Sequence, residues 1–214
     1  MTTDPLDTFT SLPLTLDPTS KSLSSPLPDL TTPLTNLTQL QRALLSTPSQ
    51  TPPPPSSTNP KRSAQIAKMR DQGNASLRKS SSLASAQEAV TLYTYGLEMA
   101  LTRPPWEPVQ LVREECALLY SNRAQAYMGA QMWPEAAADA ECSVECKRTG
   151  NGKAWWRRGK CLCEMGRWRE AGEWVESGLE VEGEKEGGKE REELVGLRKE
   201  IVRFLDEERR RGGR

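Results

Sequence analysis

The sequence contains no histidine. His-based nucleophilic triads and imidazole zinc sites are therefore excluded, along with the side chain most used in general acid–base chemistry. Neither sign of charge is in excess, since 29 basic side chains meet 29 acidic ones. That balance argues against general binding to nucleic acid or a membrane surface and leaves room only for local patches. No stretch approaches the roughly 20 consecutive apolar residues of a membrane span, and the polar N-terminal stretch lacks a secretory-signal pattern. The five cysteines, Cys116, Cys142, Cys146, Cys161 and Cys163, are odd in number and fall in helical-looking sequence. Small buried thiols in a reducing compartment fit their spacings better than disulfides or an all-cysteine zinc site. Such a chain belongs in the cytosol or peripherally on a cytosolic membrane face, with no cofactor and no metal expected.

Proline and tryptophan are unevenly spread. Twelve of the sixteen prolines lie in residues 1–60 and all six tryptophans follow residue 100, so the chain changes character near residue 60. "DTFTSLPLTLDP" alternates enough to make an extended strand. "LTNLTQLQRALL" places Leu34, Leu37, Leu40, Leu44 and Leu45 at helical spacing, and "STPSQTPPPPSSTNP" is a polyproline-II or flexible linker. A segment this poor in aromatics makes no core of its own. Its apolar stripes are either disordered or dock on something else.

From Lys61 onward the chain is helical in character and carries an internal repeat. "MWPEAAADAECSV" aligns with "RWREAGEWVESGL" at a constant offset: Trp133 and Trp168, Glu135 and Glu170, and Ala136 and Ala171 are each 35 apart. Asn122 and Arg157, and Tyr127 and Leu162, keep the same spacing. Each unit reads as helix, short turn, helix, with small residues where helices touch and aromatics filling the gaps. This is the tetratricopeptide signature. A third unit lies upstream in "AKMRDQGNASL" and "AQEAVTLYTYGLEMAL", where Ala89 takes the place of Ala136. Its extra length falls in "TRPPWEP", where Pro104 and Pro105 cannot continue a helix, and in a lengthened neighbouring helix. After "GEKEGGKE", Leu194, Leu197, Ile201 and Leu205 make the single apolar stripe of a solvating capping helix. The expected fold is an all-α tetratricopeptide array with an extended N-terminal segment. Residues 1–47 form a partner-docking segment, 48–60 a linker, 61–183 three repeats, and 184–214 a capping helix with a charged tail.

"LYSNRAQAY", residues 119–127, puts Leu119, Tyr120, Ala124 and Tyr127 on an apolar face and leaves Arg123 to face water. Asn122 sits mid-helix, where propensity disfavours it. In such an array the first helices of successive repeats line a concave groove, which gives Asn122 a place. The next groove helix presents Lys153 and Arg157 four residues apart, on one face, and the first presents Arg70 and Asn74 at the same spacing. Two asparagines and three cations from adjacent helices suit a carboxylate, with the asparagine amides reaching peptide groups. Arg158 takes the place of Arg123 and reads as a surface pair. Asn74 can alternatively cap a helix after Gly73.

The arrangement resembles the carboxylate-clamp tetratricopeptide family, whose signature runs Lys, Asn, Asn, Lys, Arg. Carried over in order, it falls on Arg70, Asn74, Asn122, Lys153 and Arg157. Arg70 departs from the signature, keeping the charge but adding bulk and a planar fork, and Lys68 is the competing cation. The resemblance implies a groove that holds the Glu-Glu-Val-Asp tails of heat-shock chaperones.

A narrower resemblance runs along most of the chain. "NPKRSAQIAKMRD", "LYTYGLEMAL", "RPPWEP", "NRAQAYM" and "KAWWRRGKCLCEMGRW" look like the small tetratricopeptide subunit of the fungal post-translational Sec translocation complex. That family is peripheral on the cytosolic face of the endoplasmic reticulum. The resemblance implies an N-terminal segment that associates with a small membrane-anchored subunit and a groove that receives chaperones of the seventy-kilodalton class. It implies no catalysis, and the chain leaves no catalytic domain after its capping helix. A soluble co-chaperone adaptor with no membrane role, or a regulatory domain for a phosphatase or prolyl isomerase, would read similarly in the repeats.

Overall fold

A computed structural model describes residues 12–46, 58, 60–80, 82–183 and 188–212. The chain divides into two units, residues 1–57 and 58–214. The expected linker lies almost wholly outside the described residues.

In the first unit, β1 (Thr15–Leu16) pairs antiparallel with β2 (Leu23–Ser24), with Thr15 opposite Ser24 and Leu16 opposite Leu23. Of the alternating stretch 7–18, residues 7–11 lie outside the described residues, and within 12–18 only Thr15 and Leu16 are paired. The Asp17 carboxylate ends β1 by accepting from the backbone N–H of Thr19 at 2.7 Å and Ser20 at 3.2 Å, an Asx-type turn. The Ser20 hydroxyl holds that carboxyl below its usual range. A single 3₁₀ turn (Pro28–Leu30) leads into α1 (Thr31–Leu45), whose leucine stripe follows the expected spacing and contains no buried residue. This unit builds no core among its described residues, as its composition indicated.

Among its described residues the second unit has seven helices: α2 (Pro60–Lys79), α3 (Leu83–Leu101), α4 (Val109–Gly129), α5 (Trp133–Cys146), α6 (Gly152–Glu164), α7 (Trp168–Glu182) and α8 (Lys189–Gly212). Consecutive helices pack against each other. In addition α2 touches α4, α4 touches α6 and α6 touches α8, which makes these the inner row. Trp133 and Trp168, the repeat markers, begin α5 and α7. The turns before them are equivalent too. Gln131 (φ 59°) and Gly166 (φ 77°) stand 35 apart in the sequence, both in the left-handed region, where glycine is unstrained and other residues are uncommon. Helix starts are secured locally. The Ser82 hydroxyl accepts from the Ser85 N–H at 3.2 Å, and the Glu182 carboxylate accepts from Gly150 and Asn151 N–H at 2.9 and 2.8 Å before α6.

The extra length of the first repeat falls where expected, since α3 and α4 have 19 and 21 residues against 14 and 13 in α5 and α6. The Arg-Pro-Pro-Trp connection has an unforeseen function in the fold. Arg103, its side chain 1% exposed, gives a bidentate pair to Glu115 on α4 at 2.8 and 2.7 Å. It also donates to the Ser63 hydroxyl on α2 at 2.7 Å and pairs with Glu107 in the connection itself. One guanidinium thus joins α2, the connection and α4.

Removing a partner from a buried ion pair costs about 3–5 kcal/mol, because the remaining charges stay out of water. Arg103→Ala is therefore expected to lower the stability of the array by about that amount, read as a shift in the urea midpoint. A loss below about 1 kcal/mol would place the pair in the range of solvent-exposed ones.

Candidate peptide-binding groove

The inner row, α2, α4 and α6, carries every predicted site residue. Asn74 and Asn122 meet directly. The Asn122 Nδ2 donates to Asn74 Oδ1 at 3.1 Å, and the same oxygen accepts from the Tyr93 hydroxyl at 2.7 Å. Tyr93 comes from α3, with 0% of its surface exposed. It reaches the groove side because Gly73 has no side chain: a Cβ there would stand 2.6 Å from the ring. Asn74 accordingly serves the groove wall, not a helix cap. Asn122 answers its odd position by bonding across to α2.

Arg157 is the buried member of the set, 9% exposed. Its Nε donates to Gln125 Oε1 at 3.1 Å and its Nη1 to the Ser121 hydroxyl. Both partners are neutral, and no carboxylate lies within ion-pair distance among the described residues. Burial lowers its pKa, with Glu190, Tyr93 and Glu193 opposing from farther away. The other buried and half-buried arginines differ. Arg103 meets Glu107 and Glu115. Arg123 meets Asp139 at 2.6 and 2.8 Å. Arg158 lies 4.2 Å from the Trp174 ring centroid and pairs with Glu141 and Glu170.

The two outer cations are engaged by acids. Arg70 turns its guanidinium onto neighbouring Asp71 at 3.0 Å. Lys153, 60% exposed, pairs with Glu190 of α8 at 3.3 Å. Lys153 and Arg157 share a helix face but not an environment. Lys68, the competing cation in α2, is exposed.

Two expectations change. Arg123 does not face water: its guanidinium bridges Asp139 on α5 and the Thr94 hydroxyl on α3, so it locks three helices together. Arg158, half-buried, pairs with Glu141 and Glu170, whose side chains are 48% and 38% exposed, as the surface pair expected. The thiols divide, with Cys116, Cys161 and Cys163 buried, Cys146 intermediate and Cys142 exposed. All five are free cysteines. Burial pushes the Cys161 thiol up to about 12 and those of Cys116 and Cys163 to about 11, so these three remain protonated at neutral pH. No cluster of three or more His, Cys, Asp or Glu suited to a metal occurs among the described residues.

No family model matches the chain. It is 37% identical over 120 residues to the ER protein translocation subcomplex subunit sec67 of Schizosaccharomyces pombe (strain 972), covering 56% of this chain and 60% of that one. The chain thus spans about 60% of the length of the curated relative it matches. The crystal structure of the Sgt2 TPR domain from Aspergillus fumigatus matches with a TM-score of 0.53 and 26% identity, over 68% of this chain and 82% of that one. A chain of the Sec complex from S. cerevisiae, solved by cryo-electron microscopy, matches with a TM-score of 0.63 and 20% identity, over 91% of this chain and 98% of that one. The fold is an all-α tetratricopeptide array.

Tyr93, Ser121, Gln125 and Glu190 contact the predicted site residues and carried no signal of their own in the sequence. Each acts on a residue of another helix, 19 positions away for Tyr93, 36 for Ser121, 32 for Gln125 and 37 for Glu190. Replacing a buried ion pair by apolar residues of similar volume is often neutral or stabilising, because desolvation offsets the Coulombic gain. Arg157→Met is therefore expected to lower stability by less than about 3 kcal/mol, as relief of guanidinium desolvation offsets two charge-assisted hydrogen bonds worth about 1.5–3 kcal/mol each. Thermal denaturation checks it, and a loss of more than about 3 kcal/mol would mark Arg157 as a fold-stabilising residue.

Proposed function

We propose that this protein is a non-enzymatic adaptor of the endoplasmic-reticulum post-translational translocation complex. In this reading it docks cytosolic chaperones of the seventy-kilodalton class by their acidic C-terminal tails. Arg157 is the observation that carries it: a residue 9% exposed, held by Ser121 and Gln125, with no carboxylate within ion-pair distance among the described residues. A buried cation without an anion is costly, and a bound carboxylate supplies the missing charge through its strongest type of hydrogen bond. Arg70, Asn74, Asn122 and Lys153 are the proposed further peptide-binding residues. Lys153 would exchange its exposed pair with Glu190 for the ligand, at little cost, because such surface pairs contribute about 0–1 kcal/mol.

The translocation reading is supported by the sec67 relative and by the length of the fold match to the Sec-complex chain. That match extends over 91% of this chain, whereas the match to the Sgt2 domain covers 68%. A soluble co-chaperone adaptor with no membrane role is the less favoured reading. Residues 1–47 are the proposed docking segment for a small membrane-anchored Sec subunit, and α1 presents leucines with none buried. No helix among the described residues is long and apolar enough to cross a membrane. The proposed location is peripheral, on the cytosolic face.

Two outcomes are expected. A free-acid peptide ending in acidic residues binds at micromolar order, ~−8 kcal/mol, and its amidated form binds at least tenfold more weakly. Arg157→Ala weakens the free acid about ten- to a hundredfold and Lys153→Ala less, as Lys153 already has a competing anion. Calorimetry at two salt concentrations measures this. Equal binding of acid and amide overturns the clamp. For the N-terminal unit, deleting residues 1–57 is expected to move the protein from the microsomal to the soluble fraction while its peptide affinity stays within twofold. A truncated protein that still sediments with microsomes assigns attachment to the array.

A further inference from the structure

The amide group of Asn74 has two ends of opposite polarity, and the groove shows only one of them. Its Oδ1 accepts from Tyr93 and from Asn122, which occupies both lone pairs of the carbonyl. The two N–H groups on Nδ2 are left for a ligand. The Tyr93 hydroxyl decides this polarity. Its proton goes to Asn74 Oδ1 at 2.7 Å, and Arg157, Arg78 and Arg70, which bear on it electrostatically, favour the oxygen's lone pairs facing them. Burial first of all, against the pull of those cations, pushes its pKa up to about 12. The proton is thus retained throughout the neutral range. The ring cannot swing away, being wholly buried and seated on Gly73.

We propose that Tyr93 is a positioning residue that fixes the donor end of Asn74 toward the groove, so that the site accepts a terminal carboxylate and rejects a carboxamide. Tyr93 touches no ligand in this arrangement. It acts through Asn74, and Asn122 helps by adding a second donor to the same oxygen. Without the hydroxyl, both asparagine amides can turn over together and keep their mutual hydrogen bond. Asn74 would then present its carbonyl to an incoming carboxylate, and two acceptors facing each other repel. The inference rests on the clamp reading above and specifies which chemical group its first asparagine recognises.

The test uses the full chain and Tyr93→Phe, which keeps the ring over Gly73 and removes only the hydroxyl. Affinities are measured for a free-acid acidic peptide and for the same peptide amidated. The free acid is expected to bind about three- to tenfold more weakly, the loss of one neutral hydrogen bond, while the amidated peptide changes less than twofold. The preference for acid over amide therefore falls by the same factor. A purely structural role would weaken both peptides equally, and that result overturns the inference. The side-chain amide signals of Asn74 and Asn122, followed by NMR without peptide, are expected to shift in Tyr93→Phe. Unshifted signals, with the unaltered protein still preferring the free acid, overturn the inference and leave the clamp standing. Equal binding of both peptides by the unaltered protein overturns the clamp and this inference with it. Asn74→Asp guards against a misfolded phenylalanine variant. It still accepts from Tyr93 and Asn122 but offers the groove an anion, so free-acid binding should fall more than tenfold. Unchanged binding there counts against the inference.

Discussion

Close approach between antiparallel helices is the constraint on which the second unit depends. Ala89, Ala124, Ala136, Ala154 and Ala171 are all at 0% exposure, and each stands where a larger side chain would push two helices apart. Glycines make the same demand more sharply. A Cβ on Gly159 would stand 2.7 Å from Val175, and one on Gly178 would stand 3.0 Å from Trp155. The large side chains then fill what remains between layers, with Trp155 packed against Trp174 at a centroid distance of 4.3 Å and Trp168 stacked on Phe204 at 3.9 Å. Close packing matters for the groove as well, because Tyr93 reaches Asn74 only across Gly73.

Within that frame the buried and half-buried arginines sort into two kinds. Arg103, Arg123 and Arg158 carry their own carboxylates and join neighbouring helices. Such pairs specify how elements meet more than they stabilise, since desolvation offsets much of the Coulombic gain. Arg157 meets a hydroxyl and an amide oxygen, with no carboxylate within ion-pair distance among the described residues. The same residue type in the same array thus joins helices through carboxylates in three places and through neutral groups in one. The distinction follows from charge neutralisation, and no property of arginine itself predicts it.

Much of the fold was legible in the sequence. The 35-residue offset located the starts of α5 and α7 at Trp133 and Trp168, and the apolar stripe Leu194, Leu197, Ile201 identified the core face of α8. These features are local or periodic, and a helix converts periodicity directly into a face. Arg123 was misread for the complementary reason. Its helix position points away from its own apolar stripe, but α3 and α5 supply Thr94 and Asp139 on that side. Within the described part of the first alternating stretch only Thr15 and Leu16 are paired, because alternation alone does not supply a partner for the rest.

By itself the sequence determined that residues from about 60 onward build paired helices with three inner ones carrying asparagine and cationic side chains. Spacing along a helix is a covalent property and survives into any fold that keeps the helix. Only the tertiary structure decided what those side chains meet. It set Tyr93 against Asn74, Ser121 and Gln125 against Arg157, and Glu190 against Lys153. Each of these pairings joins different helices, and the polarity and charge left facing the groove depend on which partner arrives first at each atom.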